Sequence, residues 1–134
     1  MTADERAVLD ANAAFYRAFA ERDVDAMDAL WARNIPVACI HPGWQVLNGR
    51  EAVMAIWRGI LGGAPPAIQC TEEIARVAGS AAFVVCTERL EAGDLVATNL
   101  FVQEAGNWKI AHHHAGPVAS ELEDDESPGS GFLQ

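Results

Sequence analysis

The chain of 134 residues has little of what would mark several common classes of protein. No apolar run approaches the roughly 18 residues that a membrane-spanning helix needs, and the N-terminus lacks the basic and apolar regions of a signal peptide. Basic residues are few, with nine Lys and Arg against 19 Asp and Glu, and they are scattered rather than clustered as in nucleic-acid-binding proteins. We therefore expect a cytoplasmic protein that binds neither membranes nor nucleic acids.

Cysteine is also scarce, and its spacing excludes common metal and redox motifs. Cys39, Cys70 and Cys86 are odd in number and far apart, and no Cys-x-x-Cys pair is present. Each lies in an apolar segment that resembles a strand. The pattern predicts free, buried thiols.

The formal net charge of −10 is unevenly distributed. Residues 120–134 carry five acidic residues and no base, and they include the run Ser127-Pro128-Gly129-Ser130-Gly131. This composition predicts an acidic, flexible C-terminal tail over 119–134 that follows a single domain over 1–118.

The periodicity of apolar residues predicts an α+β domain. Helical spacing of apolar residues marks three segments in the first half of the chain. After Pro66, alternating segments separated by Gly79-Ser80, Gly93-Asp94 and Gly106-Asn107 predict a four-stranded antiparallel meander. Two of these strands are apolar on both faces, which predicts helices on one side of the sheet and a second subunit on the other. The predicted helices span 4–21, 24–33 and 50–61, and the predicted strands span 37–41, 67–78, 81–92, 95–105 and 107–116.

Three of the four histidines are consecutive, at 112–114, within the last predicted strand. Because side chains alternate along a strand, His112 and His114 share a face with Trp108 and Ile110, whereas His113 shares the other with Lys109. A face that begins with Trp and Ile belongs to a core. We therefore predict that His112 and His114 point inward into a polar pocket, since buried imidazoles need partners or a cavity.

Several motifs in this order resemble the SnoaL-like branch of the NTF2-like superfamily, which includes ketosteroid isomerase-like proteins. The resemblance covers roughly residues 5–118. It implies a cone-shaped fold, in which a strongly curved, mostly antiparallel sheet packs around three N-terminal helices and encloses an apolar pocket. It also implies a homodimer and no cofactor. The motifs are Ala11-Asn12-x-x-Phe15-Tyr16, Asp23-Val24-Asp25-Ala26-Met27, His41-Pro42-Gly43-Trp44, Gly49-Arg50-Glu51-Ala52-Val53, Ala97-Thr98-Asn99-x-Phe101 and Trp108-Lys109-Ile110-x-His112-His113-His114.

The resemblance also shows departures from its isomerase members. Where those proteins carry a base carboxylate before a proline, this chain has His41 before Pro42. Where they carry a tyrosine that donates to an oxyanion, this chain has Phe15, with Tyr16 next to it. Steroid isomerisation is therefore not predicted.

The candidate site combines histidines with hydrogen-bonding and aromatic side chains. Histidine can accept or donate a proton near neutral pH, and Asn and Tyr can hold a carbonyl or enolate oxygen. A structural role accounts for many of these residues equally well: a hydrogen-bond network within the sheet for the histidines, a buried amide tie for Asn12, and core packing for Trp31 and Trp57. The predicted catalytic residues are His41, His112, His114 and Tyr16, and the predicted ligand-binding residues are Asn12, Trp31, Trp44, Trp57 and Asn99.

Two functions fit this site. The first is cofactor-independent acid–base chemistry, such as isomerisation, dehydration or ring closure, on a small hydrophobic or polyketide-like molecule. The second is a non-catalytic ligand-binding or association module. Two histidines at i and i+2 on one strand face with a third from elsewhere, as in His112, His114 and His41, are a known zinc geometry, but no carboxylate obviously completes the set, and no metal is predicted.

Overall fold

The computed structural model describes residues 1–118 and confirms the predicted α+β architecture. The predicted acidic tail over 119–134 lies outside the described residues. Within the described part, no helix combines the length and the hydropathy needed to cross a membrane. The elements are α1 (Ala3–Ala20), α2 (Val24–Leu30), β1 (Ala38–Ile40), β2 (Leu47–Asn48), α3 (Arg50–Gly62), β3 (Gln69–Ala78), β4 (Ala81–Arg89), β5 (Leu95–Glu104) and β6 (Asn107–Pro117).

The strands form one six-stranded sheet in the order β2-β1-β6-β5-β4-β3. The four long strands, β3 to β6, form the predicted antiparallel meander. The short strand β1 pairs in parallel with β6 and antiparallel with β2, a two-residue strand that the sequence pattern did not predict. The parallel pairing places the end of β1 beside the histidine run.

Helix α1 begins with a capping box and packs across the inner face of the sheet. The side chain of Thr2 accepts a hydrogen bond from the backbone N–H of Glu5 at 3.0 Å, and the Glu5 carboxylate accepts one from the backbone N–H of Thr2 at 2.8 Å. These bonds satisfy backbone donors that the first turn leaves free. The buried stripe of α1 includes Asn12, Phe15 and Tyr16, which it presents to the sheet.

Helix α2 ends at Leu30, three residues earlier than predicted. Trp31 adopts an extended backbone conformation and forms a β-bridge with Ile110 of β6. The next residue, Ala32, donates its backbone N–H to the carbonyl of Ile110 at 3.0 Å. Pairing with the sheet edge therefore competes with the last helical turn, and it buries the Trp31 side chain completely.

A β-bulge in β6 overturns the predicted orientation of the histidines. Phe101 of β5 pairs with Ile110, but the adjacent Leu100 pairs with His112, so Ala111 is an extra residue without a partner. An extra residue reverses the alternation of the strand beyond it. His113 is consequently buried on the inner face, while His112 and His114 lie on the outer face.

Candidate functional site

A cavity of about 450 Å³ lies between α1, α3 and the inner face of the sheet. Its walls are mostly aromatic and aliphatic, and none of its lining residues is Lys or Arg. Its size falls within the range of about 300–1,000 Å³ that is typical of small-molecule sites. The polar side chains that reach the lining, apart from the tryptophans, are Tyr16, His41, Glu88 and His113.

Glu88 of β4 is a buried carboxyl group at the polar end of this cavity. It is 3% exposed, and the hydroxyl of Tyr16 donates to its Oε2 at 2.6 Å. Burial raises the pKa of Glu88, and the Tyr16 hydrogen bond offsets part of that rise. Burial and the Glu88 charge in turn raise the pKa of Tyr16, so the phenol keeps its proton and remains a donor. A carboxyl with a raised pKa beside a cavity can exchange a proton with a bound molecule.

Asn99 of β5 links the two sides of the polar end. Its side-chain amide nitrogen donates to Asn12 Oδ1 at 2.8 Å and to the Tyr16 hydroxyl at 3.2 Å. Its carbonyl oxygen lies 2.6 Å from Nδ1 of His113, which faces it across the β5–β6 pair. Because an amide oxygen only accepts hydrogen bonds, this network assigns the proton of His113 to Nδ1. Asn99 is fully buried, so each of these bonds is shielded from water.

His113 is held in its neutral form. Burial lowers its pKa to about 3, and the neighbouring His41 adds to the effect. With Nδ1 bound to Asn99, the lone pair of Nε2 is the free side of the ring, and it lies 4.0 Å from Oε2 of Glu88. The two groups are too far apart for a direct hydrogen bond.

His41, which follows β1, lines the cavity between two tryptophans. The centroid of its ring is 4.9 Å from that of Trp57 and 5.5 Å from that of Trp44. Burial lowers the pKa of His41. Its Nε2 lies 3.6 Å from the sulfur of Cys39, and burial raises the pKa of that thiol to about 12. Cys39 therefore stays a thiol, and the prediction that it is free and buried is confirmed.

The structure brings together only some of the predicted site residues. Tyr16, His41, Trp44 and Trp57 line the cavity, whereas Asn12 and Asn99 lie behind it in the hydrogen-bond network. The other three predicted site residues, His112, His114 and Trp31, do not line the cavity.

Those three residues have clear structural positions elsewhere. The two histidines stand on the outer face with ring centroids 6.3 Å apart, so their predicted inward orientation is wrong. Trp31 is a core residue at the end of α2. Within residues 1–118, no three His, Cys, Asp or Glu side chains are grouped as metal ligands, and the absence of a bound metal stays a prediction.

Sequence reasoning missed two polar groups of the cavity, Glu88 and His113. Glu88 continues the inward series of Val84 and Cys86 along β4, and this period of two is the signal that could have found it. His113 could not be found in this way, because the bulge at Ala111 changes the alternation just before it. The sequence predicts Tyr16 as a site residue, and the structure adds Glu88 as its carboxyl partner.

The comparisons with known proteins agree with this architecture. Residues 8–120 match the SnoaL-like domain family. A crystal structure of a proposed dehydratase of the NTF2-like family from Streptomyces avermitilis is 34% identical, with a TM-score of 0.79, and covers 86% of this chain and 96% of its own.

Two further relatives differ in what they are named for. A proposed calcium/calmodulin-dependent protein kinase type II association domain from Thiobacillus denitrificans is 39% identical, with a TM-score of 0.69, over 81% of this chain and 92% of its own. The F-box protein SKIP8 of Arabidopsis thaliana is 27% identical over 92% of this chain, which spans only 54% of that protein. The family match, covering most of the chain, and the shared fold lead to one assignment: this chain belongs to the SnoaL-like domain family of the NTF2-like superfamily.

Proposed function

We propose that this protein is an acid–base catalyst that eliminates water from a small, largely apolar hydroxy compound, with Glu88 as the group that accepts the proton. The observation that carries the proposal is the buried carboxyl of Glu88, which lines the cavity and is held by Tyr16 at 2.6 Å. Side chains of the protein carry out the proton transfers in this proposal, because the family resemblance implies that no cofactor takes part.

The surroundings of Glu88 suit a group that alternates between its charged and neutral forms. Burial disfavours the carboxylate, whereas the hydrogen bond from Tyr16 favours it. Burial is the larger of the two effects, so the pKa of this carboxyl moves toward neutrality, where a general base works best. Burial lowers the pKa of both His113 and His41, which disfavours a positive charge on either ring that would lower the pKa of Glu88.

The proposed step balances without an external reagent. Glu88 removes a proton from the carbon next to the one that carries the hydroxyl group. The electron pair of that C–H bond forms the double bond while the C–O bond breaks, and the departing hydroxyl takes up the proton from Glu88 to leave as water. Glu88 returns to its starting state. The similarity to a proposed dehydratase supports this reaction over isomerisation or ring closure.

The test uses 4-hydroxy-4-phenylbutan-2-one, a small hydroxy ketone with an acidic C–H bond and an apolar ring. Elimination of water gives a conjugated enone that is followed by its ultraviolet absorbance. We expect the wild-type protein to accelerate this reaction and Glu88→Gln to lower the rate by about 10²–10⁴-fold, the usual contribution of a general base. Glu91→Gln, which changes an exposed carboxyl outside the cavity lining, is the matched control. Equal rates for wild type and Glu88→Gln, or no acceleration by the wild type, would contradict the proposal.

A second candidate function is association through the outer face of the sheet. Ile74, Phe83, Val96 and Leu100 are exposed on β3, β4 and β5, although all four are large and apolar. Strand pairing places Phe83 opposite Leu100, so the two form a continuous surface. An exposed apolar face of this kind is typical of an interface, and the association domain at 39% identity supports the same inference.

The proposed partner is a second copy of the chain. We expect light scattering to give the mass of a dimer at micromolar concentration, and the double variant Phe83→Asp/Leu100→Asp to give that of a monomer, because it buries two unpaired charges in the interface. Val46→Asp is the control, since Val46 is equally apolar and exposed but lies outside the long strands. A monomeric wild-type protein would exclude this candidate.

A further inference from the structure

Asn99 stands at the centre of the hydrogen bonds that lead to Glu88, although it does not line the cavity. Its amide nitrogen donates to Asn12 Oδ1 at 2.8 Å and to the Tyr16 hydroxyl at 3.2 Å, and its oxygen lies 2.6 Å from Nδ1 of His113. The side chain is fully buried, so solvent does not compete for these bonds. Asn99 can therefore influence a bound molecule only through its neighbours.

The donor and acceptor types of these groups fix the direction of the bonds at Tyr16. An amide nitrogen only donates, so the Tyr16 oxygen accepts from Asn99. The phenol has one hydrogen, and two groups compete for it: Oε2 of Glu88 at 2.6 Å and the sulfur of Cys86 at 3.4 Å. The carboxylate is the stronger acceptor, because it is charged and lies closer. The chain of bonds therefore runs from Asn99 through Tyr16 to Glu88.

This chain favours the charged form of Glu88. In a buried series of hydrogen bonds each bond polarises the next, so donation from Asn99 makes Tyr16 a stronger donor. The bond from Tyr16 lowers the pKa of Glu88, against the larger effect of burial, which raises it. Burial and the Glu88 charge also raise the pKa of Tyr16, so the phenol keeps the hydrogen that it donates.

The bond to His113 shows independently in which direction the network runs. If the amide of Asn99 were turned over, its oxygen would face Tyr16 and its nitrogen would face Nδ1 of His113. Tyr16 would then donate to Asn99 instead of Glu88, and His113 would carry its proton on Nε2. Because burial lowers the pKa of His113 to about 3, the ring is neutral near pH 7 and has a single tautomeric proton to locate.

We propose that Asn99 is the positioning residue of this site: it donates to the Tyr16 oxygen and thereby commits the phenol hydrogen to Glu88, which favours the carboxylate that accepts a proton. The sequence predicts Asn99 as a ligand-binding residue, whereas its burial behind the cavity supports this indirect role. The inference rests on the proposed function for the reaction that Glu88 carries out. The protonation of Glu88 can be measured without any reaction, so the two proposals can fail separately.

The first measurement uses the wild-type protein, so it does not depend on whether a variant folds. ¹⁵N NMR spectra of the imidazoles near neutral pH should place the proton of His113 on Nδ1. A proton on Nε2 would mean that the amide of Asn99 is turned over and that Tyr16 donates to it. That result would overturn the inference.

A double-mutant cycle then tests whether Asn99 acts through Tyr16. The pKa of Glu88 is measured by ¹³C NMR titration in wild type, Tyr16→Phe, Asn99→Leu and the double variant. We expect Tyr16→Phe to raise this pKa, because the carboxylate loses its donor, and Asn99→Leu to raise it by less. In the Tyr16→Phe background, Asn99→Leu should no longer raise it. An equal rise in both backgrounds, or no rise in either, would overturn the inference.

The pH profile of the elimination reaction gives the functional readout. A raised pKa leaves more of Glu88 protonated at the acidic end of the profile. Asn99→Leu should therefore slow the reaction of 4-hydroxy-4-phenylbutan-2-one about 5-fold there, the effect of one hydrogen bond, and by less at higher pH. Thr98→Leu, the same substitution one residue earlier on the outer face, is the matched control and should leave the profile unchanged.

The outcomes separate the two proposals. A uniform loss of rate over the whole pH range would indicate a merely structural role and would overturn the inference. If Glu88 carries out the elimination but its pKa is the same in wild type and Asn99→Leu, the inference fails and the proposed function stands. If the tautomer and the double-mutant cycle agree with the expectation but the wild-type protein does not accelerate the reaction, the proposed function fails and the position of Asn99 in the network stands.

Discussion

The two faces of β6 carry the same kind of side chain in opposite environments. On the inner face His113 is 4% exposed, is bonded to Asn99 and contacts the aromatic wall of the cavity. On the outer face His112 and His114 stand beside Leu100 and Thr98 of β5, on a surface with exposed apolar residues. The three residues are adjacent in sequence, so their type does not decide their role. The role of each histidine follows from the face of the sheet on which it lies, and the unpaired Ala111 in the bulge determines that face.

The largest expected effect of the buried inner histidine is on the way the free energy of unfolding depends on pH. The ordinary histidine pKa of 6.5 falls to about 3 for His113 in the folded protein. Between these two values the unfolded chain binds more protons than the folded one, so the free energy of unfolding decreases as the pH falls through this window. The slope from one proton reaches about 1.4 kcal/mol per pH unit. Replacing the inner histidine in His113→Asn should flatten this part of the curve.

Urea denaturation at a series of pH values measures this variant against the wild type. The raised pKa of Glu88 acts in the opposite direction, since a carboxyl that binds its proton more tightly when folded stabilises the protein at low pH and loses that contribution as the pH rises. Comparing His113→Asn with the wild type cancels the contribution of Glu88 in so far as Glu88 is unaffected by the substitution. Parallel curves for wild type and His113→Asn would remove the proposed distinction between the faces.

The next effect in size concerns the hydrogen bonds that exist only on the inner face. Asn99→Leu leaves the N–H of His113 and the carbonyl oxygen of Asn12 without their partner at a buried position. Each loss costs about 1–3 kcal/mol, so we expect the free energy of unfolding to drop by about 3 kcal/mol. Thr98→Leu, one residue earlier and on the outer face, is the control and should change stability by less than about 0.5 kcal/mol. A similar loss of stability in both variants would mean that the hydrogen bonds of Asn99 stabilise the protein no more than an outer-face residue such as Thr98 does.

The sequence sufficed for most of the fold because local signals and tertiary structure agree there. Gly79-Ser80, Gly93-Asp94 and Gly106-Asn107 predicted the turns of the meander, and the apolar stripe of α1 predicted its buried face. The sequence pattern predicts an end of α2 beyond the observed one, because helical spacing continues to Trp31. In the structure Trp31 instead pairs with Ile110 of β6. A contact between residues so distant in sequence leaves no trace in local periodicity.

The site was less predictable because it depends on a single extra residue. Alanine is compatible with a regular strand and with a bulge, so Ala111 gave no signal that the alternation would change. The same uncertainty does not apply to Glu88, which follows Val84 and Cys86 on a regular stretch of β4. The carboxyl could have been found by extending that pattern, whereas the choice of histidine required the strand register.

Deleting Ala111 tests whether the bulge does more than set the faces. The deletion removes one residue together with the bulge. Ile110, His112 and His113 then alternate regularly, so His113 stays inward and His112 stays outward. We therefore expect the deletion variant to fold and to retain a depressed pKa at His113, with a loss of stability of about 1–2 kcal/mol from the shifted strand. NMR titration of the histidines measures the pKa. Deleting Lys109, which is paired with Val102 on a regular stretch, is the control and should be far more damaging. Equal damage from both deletions would show that the extra residue is needed for more than orientation.

The smallest effect is expected where the outer face meets solvent. His114 is exposed and makes no side-chain hydrogen bond within residues 1–118, so His114→Ala should change the free energy of unfolding of the isolated chain by less than about 0.5 kcal/mol. If the outer face joins two copies, however, the imidazole lies near the interface, and the substitution should alter the dimer's dissociation constant more than the stability of each subunit. Light scattering over a dilution series, together with urea denaturation, separates these effects. A large loss of subunit stability would contradict the assignment of His114 to a solvent-facing surface, because such a loss requires contacts that the outer face of a single chain does not supply.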